Sequence, residues 1–318
     1  MLMLDADTLL QAMPFSQLVD ELAELHREPI GLVDEMLMES KDAEDNTSHF
    51  FIRTGWQPEK AVGAKVITVF PRNNKAGVWP SIQAVYILFE GTNGSPLACL
   101  DGTALTWLKT ASDSALGSKL LSRPNIESML MIGAGQMAPH LVHAHCAVRP
   151  SLRRVMIWNR TPEKAQALCT QLTGQIANVE FSATGDLQAV TGSVDLICSA
   201  IACDEPIIQG DWLKDGTHVD LIGAYTASMR EADDDCLRRG SLFVDARETT
   251  IHHIGELMIP LASGVISEDD VLADLADLCQ QRHRGRSSDA EITIFKNGGG
   301  GHLDLMCARL LHRHCEGA

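Results

Sequence analysis

Residues 128–138 read SMLMIGAGQMA. Residues 128–132 form an unbroken, nearly apolar run, the pattern of a parallel strand covered on both faces. Gly133-Ala-Gly135-Gln-Met-Ala138 follows at once, and residues 136–147 read as a helix. This is G-x-G-x-x-A between a strand and a helix. The first glycine permits a tight turn, the second lets a pyrophosphate approach the backbone, and the helix N-terminus supplies N–H donors. A second apolar strand at 155–158 and a second helix at 161–172 complete a βαβ unit. The stretch predicts a dinucleotide-binding Rossmann domain.

Further strands are expected at 179–181, 195–198, 218–222 and 242–244, with helices between. Alternation of this kind implies a parallel sheet with right-handed crossovers. The flanking sequence has another style. Residues 1–30 carry Leu9, Leu10, Met13, Leu18, Leu22 and Leu25 at near-helical spacing. Residues 39–48 are polar and read as a loop or hairpin tip. Strands are expected at 50–52, 64–70 and 82–89. Gly91-Thr-Asn-Gly94 joins 85–89 to a partner at 96–100, and 104–121 reads as a long helix. At the other end, 291–296 reads as a strand, followed by a glycine run and a closing helix. The expectation is an α/β fold in which a Rossmann domain, 125–290, is inserted into a discontinuous α+β domain, 1–124 plus 291–318, for substrate binding and dimerisation.

The 318 residues suit about two domains at roughly 150 residues each. Lys plus Arg number 26 and Asp plus Glu 42, a net charge of −16. That balance argues against nucleic-acid and anionic-lipid partners, whose recognition depends on positive charge. It leaves room for a small anionic substrate met by local cations. A 45% hydrophobic and 21% charged composition is that of a folded globule. No apolar run reaches the roughly 18 residues of a membrane span, and the acidic N-terminus lacks the basic flank of a secretory signal. Nine scattered cysteines without a C-x-x-C pair read as reduced thiols of a cytoplasmic protein.

The second strand of the βαβ unit ends in Asn159-Arg160-Thr161, where an NAD site usually carries Asp or Glu for the ribose 2′-OH. A guanidinium and a hydroxyl suit a 2′-phosphate, so NADPH is expected over NADH. The candidate cofactor contacts are Gly133, Gly135, Gln136, Met137, Asn159, Arg160, Thr161, Ser199, Ala200, Ile222 and Gly223. Lys65 heads an apolar strand, a costly position unless the charge is paired, used or led to solvent. Thr106, Lys109 and Thr110 share an i, i+3, i+4 pattern that could form a basic pocket for a carboxylate. His140, His143 and His145 have poor single-face geometry for a metal and read as packed or solvated helix residues; no metal is expected.

Six segments together resemble the ornithine cyclodeaminase/μ-crystallin family. They are GAKVITVFPRN (63–73), LDGTALTWLKTASDSALGSKLL (100–121), MLMIGAGQMA (129–138), IWNRTPEKA (157–165), LKDGTHVDLIGAYTASMREAD (213–233) and EITIFKNGGGGHLDL (291–305). The resemblance implies a homodimer whose discontinuous domain supplies the interface and the substrate pocket. Lys65 matches the pocket lysine, and Lys109 stands where the family usually has arginine. Asp304 matches an aspartate that follows the glycine loop. The family's early pocket arginine is not evident after Pro29, and Arg53 is the candidate to replace its charge. Cyclodeaminases carry an aspartate after the glycine pair of their "VGGD" motif, but this chain has Tyr225 after Gly223-Ala224. GAYTASMRE is instead similar to reductases of cyclic ketimine acids.

The resemblance therefore implies NADPH-dependent reduction of Δ1-pyrroline-2-carboxylate to L-proline, or of Δ1-piperideine-2-carboxylate to L-pipecolate. Lys65 is the candidate catalytic residue, and Lys65, Lys109, Arg53 and Asp304 form the candidate substrate set. Two other readings stay open: an NAD-dependent ornithine cyclodeaminase, and a non-catalytic crystallin-like NADPH binder.

Overall fold

The computed structural model describes residues 1–42, 47–73 and 79–317. It divides into two compact units, Met1–Lys109 with Gly300–Ala318, and Thr110–Gly299.

The first unit holds one six-stranded sheet of β1 (Leu2–Leu4), β2 (Leu32–Lys41), β3 (Thr47–Gln57), β4 (Ala61–Val69), β5 (Ile82–Glu90) and β6 (Pro96–Asp101). Its order is β1-β6-β5-β4-β3-β2. β1 runs parallel to β6, and the other pairs are antiparallel. The amphipathic helix Phe15–Leu25 buries Leu18, Val19, Leu22 and Leu25. With Leu88, Leu100 and Leu105 and with Leu303 and Leu310 of the closing helix Gly301–Glu316, most of them join one apolar core. The closing helix comes very close to the sheet at two glycines. A Cβ on Gly55 would lie 2.7 Å from the Gly301 carbonyl oxygen, and a Cβ on Gly301 would lie 2.2 Å from that of Thr54. Real side chains do not tolerate such distances, so glycine at both positions sets how near the helix's first turn approaches β3.

The second unit holds an eight-stranded, all-parallel sheet. Its strands are β7 (Ser128–Ile132), β8 (Arg154–Trp158), β9 (Glu180–Ala183), β10 (Leu196–Ser199), β11 (His218–Leu221), β12 (Ser241–Val244), β13 (Val271–Asp274) and β14 (Thr293–Lys296). The order β13-β12-β14-β11-β10-β7-β8-β9 is doubly wound, as expected of a Rossmann domain. From β7 the chain winds outward through β8 to β9, then returns to β10 on the other side of β7. That reversal opens a crevice at the carboxyl ends of β7 and β10.

Three sequence readings need correction. The segment Leu32–Lys41 is a ten-residue strand that the hydrophobic pattern did not reveal. All ten residues are exposed, so no buried face imposes an alternation. The strand near 291–296 does not return to the first unit with the tail; β14 pairs with β11 and β12 in the middle of the parallel sheet. The return to the first unit falls instead at Gly300. The first 30 residues also contain β1 and two separate helices rather than one helical stretch. Of the hairpin tip expected at 39–48, residues 43–46 lie outside the described residues. No described helix is long and apolar enough to cross a membrane.

Candidate active site

The register of three strands places Arg53 (β3), Lys65 (β4) and Tyr86 (β5) side by side. Directly paired residues point to the same face of an antiparallel sheet, so one face carries two cations and a phenol in a row. Gly63 precedes Lys65 by two and shares that face. A Cβ there would sit 2.0 Å from the Tyr86 hydroxyl oxygen, so the glycine of the GAK motif makes room for Tyr86.

Two helices complete the cluster. The helix Gly102–Leu121 is capped by Asp101, whose Oδ1 accepts from Thr103 N at 3.0 Å and Ala104 N at 2.8 Å. One turn on, the Thr106 hydroxyl donates to Gly102 O at 2.7 Å. That leaves its oxygen to accept from Lys65 Nζ. Asp304 lies in the first turn of the closing helix, fully buried. Its Oδ1 is 3.3 Å from Lys65 Nζ and 3.6 Å from Lys109 Nζ. Arg53 is half-buried, with Nε 3.4 Å from the exposed Glu35 carboxylate, and its guanidinium lies 5.1 Å from the Phe51 ring centre. The four residues proposed from sequence for the substrate pocket thus belong to one cluster.

Burial controls the electrostatics. Loss of water pushes the Lys65 ammonium down to about 8, helped by Lys109 and Arg53 and opposed by Asp304. Burial pushes the Asp304 carboxyl up, but Lys109, Lys65 and Arg53 outweigh it and hold the acid below its usual range. Burial, reinforced by Asp304, drives the Tyr86 phenol well above its ordinary value. His302, also buried, is pushed down to about 3 by burial, with His26 and Lys109 acting in the same direction. It is therefore neutral at physiological pH.

Several buried polar atoms of this cluster have no hydrogen-bond partner among the described residues: Asp304 Oδ2, Tyr86 Oη and both His302 ring nitrogens. Such atoms are costly unless something pairs with them. Two buried ammonium groups share one buried carboxylate, and the third cation, Arg53, has only the exposed Glu35 beside it, so the buried part of the cluster is short of negative charge. Tyr86 and His302 were not singled out from the sequence. A tyrosine in a strand and a histidine beside a glycine run carry no signal until the fold assembles them.

In the second unit, the glycine loop turns at the carboxyl end of β7. Gly133 has φ +104°, and a Cβ there would lie 2.9 Å from Ala200 O. Around Gly135 a Cβ would meet nothing within 4 Å, which leaves open space where a phosphate could approach the backbone. Gln136 is exposed, and Met137 begins the twelve-residue helix Met137–Val148. This backbone fits a dinucleotide pyrophosphate. Asn159 is held by the fold: its Oδ1 accepts from Ala134 N at 3.2 Å and its Nδ2 donates to Thr161 O at 3.0 Å. Arg160 and Thr161 are exposed. An open cavity of about 360 Å³ is lined by the residues that follow, Pro162, Glu163 and Gln166, together with Ala183, Thr184 and Gly185. Ser199 ends β10 with Ala200 after it, and Ile222 and Gly223 follow β11. The Ser199 hydroxyl is committed to Glu231, 2.6 Å away.

Of the three histidines considered for a metal, His145 is buried. Its Nε2 lies 3.2 Å from Asp220 Oδ2, which also accepts from Cys198 Sγ at 3.3 Å. Ser114 Oγ donates to Asp220 Oδ1 at 3.1 Å. The group has ligand-type atoms close together, but these hydrogen bonds account for the spacing.

The profile of the ornithine cyclodeaminase/mu-crystallin family matches residues 23–318. The chain belongs to that family. Among its family relatives, a Delta(1)-pyrroline-2-carboxylate reductase of Paracoccus denitrificans is 46% identical over 271 residues, 85% of each chain. A protein of the same name from Colwellia psychrerythraea is 32% identical over 97% of each chain. Among solved structures, Thermococcus litoralis Delta(1)-pyrroline-2-carboxylate reductase in complex with NADH and L-proline superposes with a TM-score of 0.89 at 26% identity. That match covers 100% of this chain and 98% of the other.

Proposed function

We infer that this family member reduces a cyclic ketimine acid with a nicotinamide cofactor, Δ1-pyrroline-2-carboxylate to L-proline first and Δ1-piperideine-2-carboxylate to L-pipecolate second. The observation that carries this reading is the pair of buried lysines, Lys65 and Lys109, that share the single buried carboxylate of Asp304, with Arg53 beside them. A substrate carboxylate would supply the missing negative charge. The relatives named for pyrroline-2-carboxylate reduction, one of them holding NADH and L-proline, support the same chemistry.

When bound, the nicotinamide supplies a hydride for the C=N carbon. Gly133, Gly135, Gln136 and Met137 would hold the pyrophosphate, and the cavity beside Pro162 suits the adenosine end. Ser199, Ala200, Ile222 and Gly223 would border the nicotinamide end, at the strand ends where such ligands bind. Lys65 and Lys109 anchor the carboxylate and fix its orientation, with Arg53 adding charge. Lys65 keeps a proton on Nζ at neutral pH and can give it to the ring nitrogen as the C=N bond becomes CH–NH. Thr106 and Asp304 hold that ammonium in place.

NADPH is the preferred cofactor on this reading, because Arg160 is exposed and no carboxylate occupies the 159–161 turn. The relative from Thermococcus litoralis holds NADH; the NADPH preference rests on this chain's own turn alone. The working form is a cytoplasmic homodimer. β2 exposes Leu32, Met36 and Met38 on one face, an apolar surface of a kind that proteins usually cover.

The test is loss of NADPH absorbance with the five- and six-membered ketimine acids, beside an ammonia assay with ornithine and NAD. Rapid NADPH consumption with either ring supports the reading and ranks the rings. Ammonia from ornithine without ketimine reduction would replace it with cyclodeamination. Cofactor binding with no turnover in either assay would leave the crystallin-like binder.

A further inference from the structure

Glu231 is fully buried and belongs to none of the sites described so far. Its Oε1 accepts from Ser199 Oγ at 2.6 Å and from Ile201 N at 3.2 Å. Its Oε2 accepts from Gly223 N at 2.6 Å and from Ala224 N at 3.1 Å. One carboxylate thus ties together the segments that leave the carboxyl ends of β10 and β11. A second glutamate holds Glu231 in turn: Glu256 accepts from the backbone N–H groups of Glu231 at 2.7 Å and Ala232 at 3.0 Å. Lys296, at the end of β14 between β11 and β12, donates to Leu221 O at 3.1 Å and lies 3.8 Å from Glu231 Oε2.

The tied segments are those that would border the nicotinamide. Ala200, between Ser199 and Ile201, also bounds the glycine loop, since a Cβ on Gly133 would meet its carbonyl. A backbone this close to a ligand must be fixed before the ligand arrives, or binding must bear the cost of ordering it.

We propose that Glu231 is a positioning residue for the nicotinamide end of the cofactor, acting through its fourfold hold on Ser199, Ile201, Gly223 and Ala224. This rests on the cofactor assignment above. All four groups can donate to an ionised carboxylate, because only that form offers acceptors at both oxygens without a proton of its own. Glutamine has the same shape but one acceptor end. Its NH2 end would face backbone N–H donors in either orientation.

The ionised form is finely balanced. Burial pushes Glu231 up to about 7, with Lys296 opposing and Glu256 adding to the rise. The other titratable groups that feel this charge are the Cys198 and Cys203 thiols, and Arg230 acts on Glu256. Cofactor affinity should therefore weaken as pH falls through about 7, as Glu231 takes up a proton and the fork is lost.

The experiment compares the wild-type chain, Glu231→Gln and Ser199→Ala. It measures the Kd of NADH and NADPH by calorimetry across pH 6 to 8, and amide hydrogen exchange without cofactor. In Glu231→Gln we expect Kd to rise about tenfold or more, the size of a lost charged hydrogen bond. Its pH dependence should flatten, and exchange should quicken at Ile201, Gly223 and Ala224. Ser199→Ala, lacking one of the four bonds, should show a smaller rise. A folded Glu231→Gln chain with wild-type Kd and wild-type exchange at those amides would overturn the proposal. If Glu231→Gln does not fold, wild-type affinity in Ser199→Ala together with a flat wild-type pH profile overturns it. If the wild-type chain binds neither cofactor, the cofactor assignment is what fails, and exchange at the three amides alone decides whether Glu231 holds the segments.

Discussion

Asp304 presents one oxygen, Oδ1, to Lys65 at 3.3 Å and leaves the other without a hydrogen-bond partner among the described residues. Lys109 shares the same Oδ1 at 3.6 Å. One buried carboxylate thus serves two buried ammonium groups and satisfies neither fully. On the function proposed above, a substrate carboxylate completes this set.

The charge on Lys65 should limit activity at alkaline pH. Its pKa lies near 8 rather than the ordinary 10.5, so kcat/KM for a ketimine acid should fall above about pH 8. Lys65→Arg keeps the charge but cannot release its proton, so it should lose most of its turnover, and whatever activity remains should lack that limb. The folding sign is opposite. Between about pH 8 and 10.5 the folded chain binds fewer protons at Lys65 than the unfolded one, so this group's contribution to stability rises with pH. A flat profile from pH 7 to 10 in the wild-type enzyme would remove Lys65 from the proton-donor role.

Asp304→Asn preserves shape and removes the charge that raises Lys65. The alkaline limb should then move below pH 8. Breaking a buried ion pair costs about 3–5 kcal/mol, so the urea midpoint should also drop. An unshifted limb in a folded variant would show that Asp304 does not govern Lys65.

Lys109→Ala should act on binding more than on turnover. Loss of one charged contact to a carboxylate is worth about 1.5–3 kcal/mol, roughly a 10- to 100-fold rise in KM. Steady-state kinetics would check this, and a changed kcat with unchanged KM would count against the anchoring role.

Arg160→Ala should weaken NADPH about tenfold and leave NADH nearly unchanged, because only the 2′-phosphate calls for a guanidinium. Calorimetric titration of both cofactors reads the difference. Equal losses for the two would assign Arg160 a general rather than a discriminating role.

For the homodimer, Met36→Glu should shift the chain toward monomer in sedimentation at micromolar concentration, since a charge cannot be buried unpaired against an apolar partner face. A wild-type chain that sediments as a monomer would end this reading outright.

Much of the second unit was legible because buried parallel strands must be apolar along their whole length. Ser128–Ile132 and the glycine turn after it have few alternative readings. β2 escaped notice because both its faces are exposed, so nothing imposes alternation on Leu32–Lys41. β14 was recognised as a strand but assigned to the wrong sheet. An apolar run does not name its neighbours, and the partner of Lys296 is Glu231, on a loop far upstream. The lysines of the candidate site stood out as charges in apolar surroundings. Their dependence on one oxygen of Asp304, and the presence of Tyr86 and His302 beside them, follows only from strand register and from the closing helix.

The contact between Gly55 and Gly301 bears on how the protein is made. Asp304 reaches Lys65 only through a helix that follows the whole second unit, while Lys65 and Lys109 are synthesised before Thr110–Gly299. The second unit is continuous in sequence and can fold as soon as it leaves the ribosome. The first must wait for Gly301–Glu316, with two lysines lacking their buried counter-charge until that helix arrives. A chain truncated before Gly301 would keep its dinucleotide-binding half and lose the other, and the nascent first unit is the part most in need of protection during synthesis.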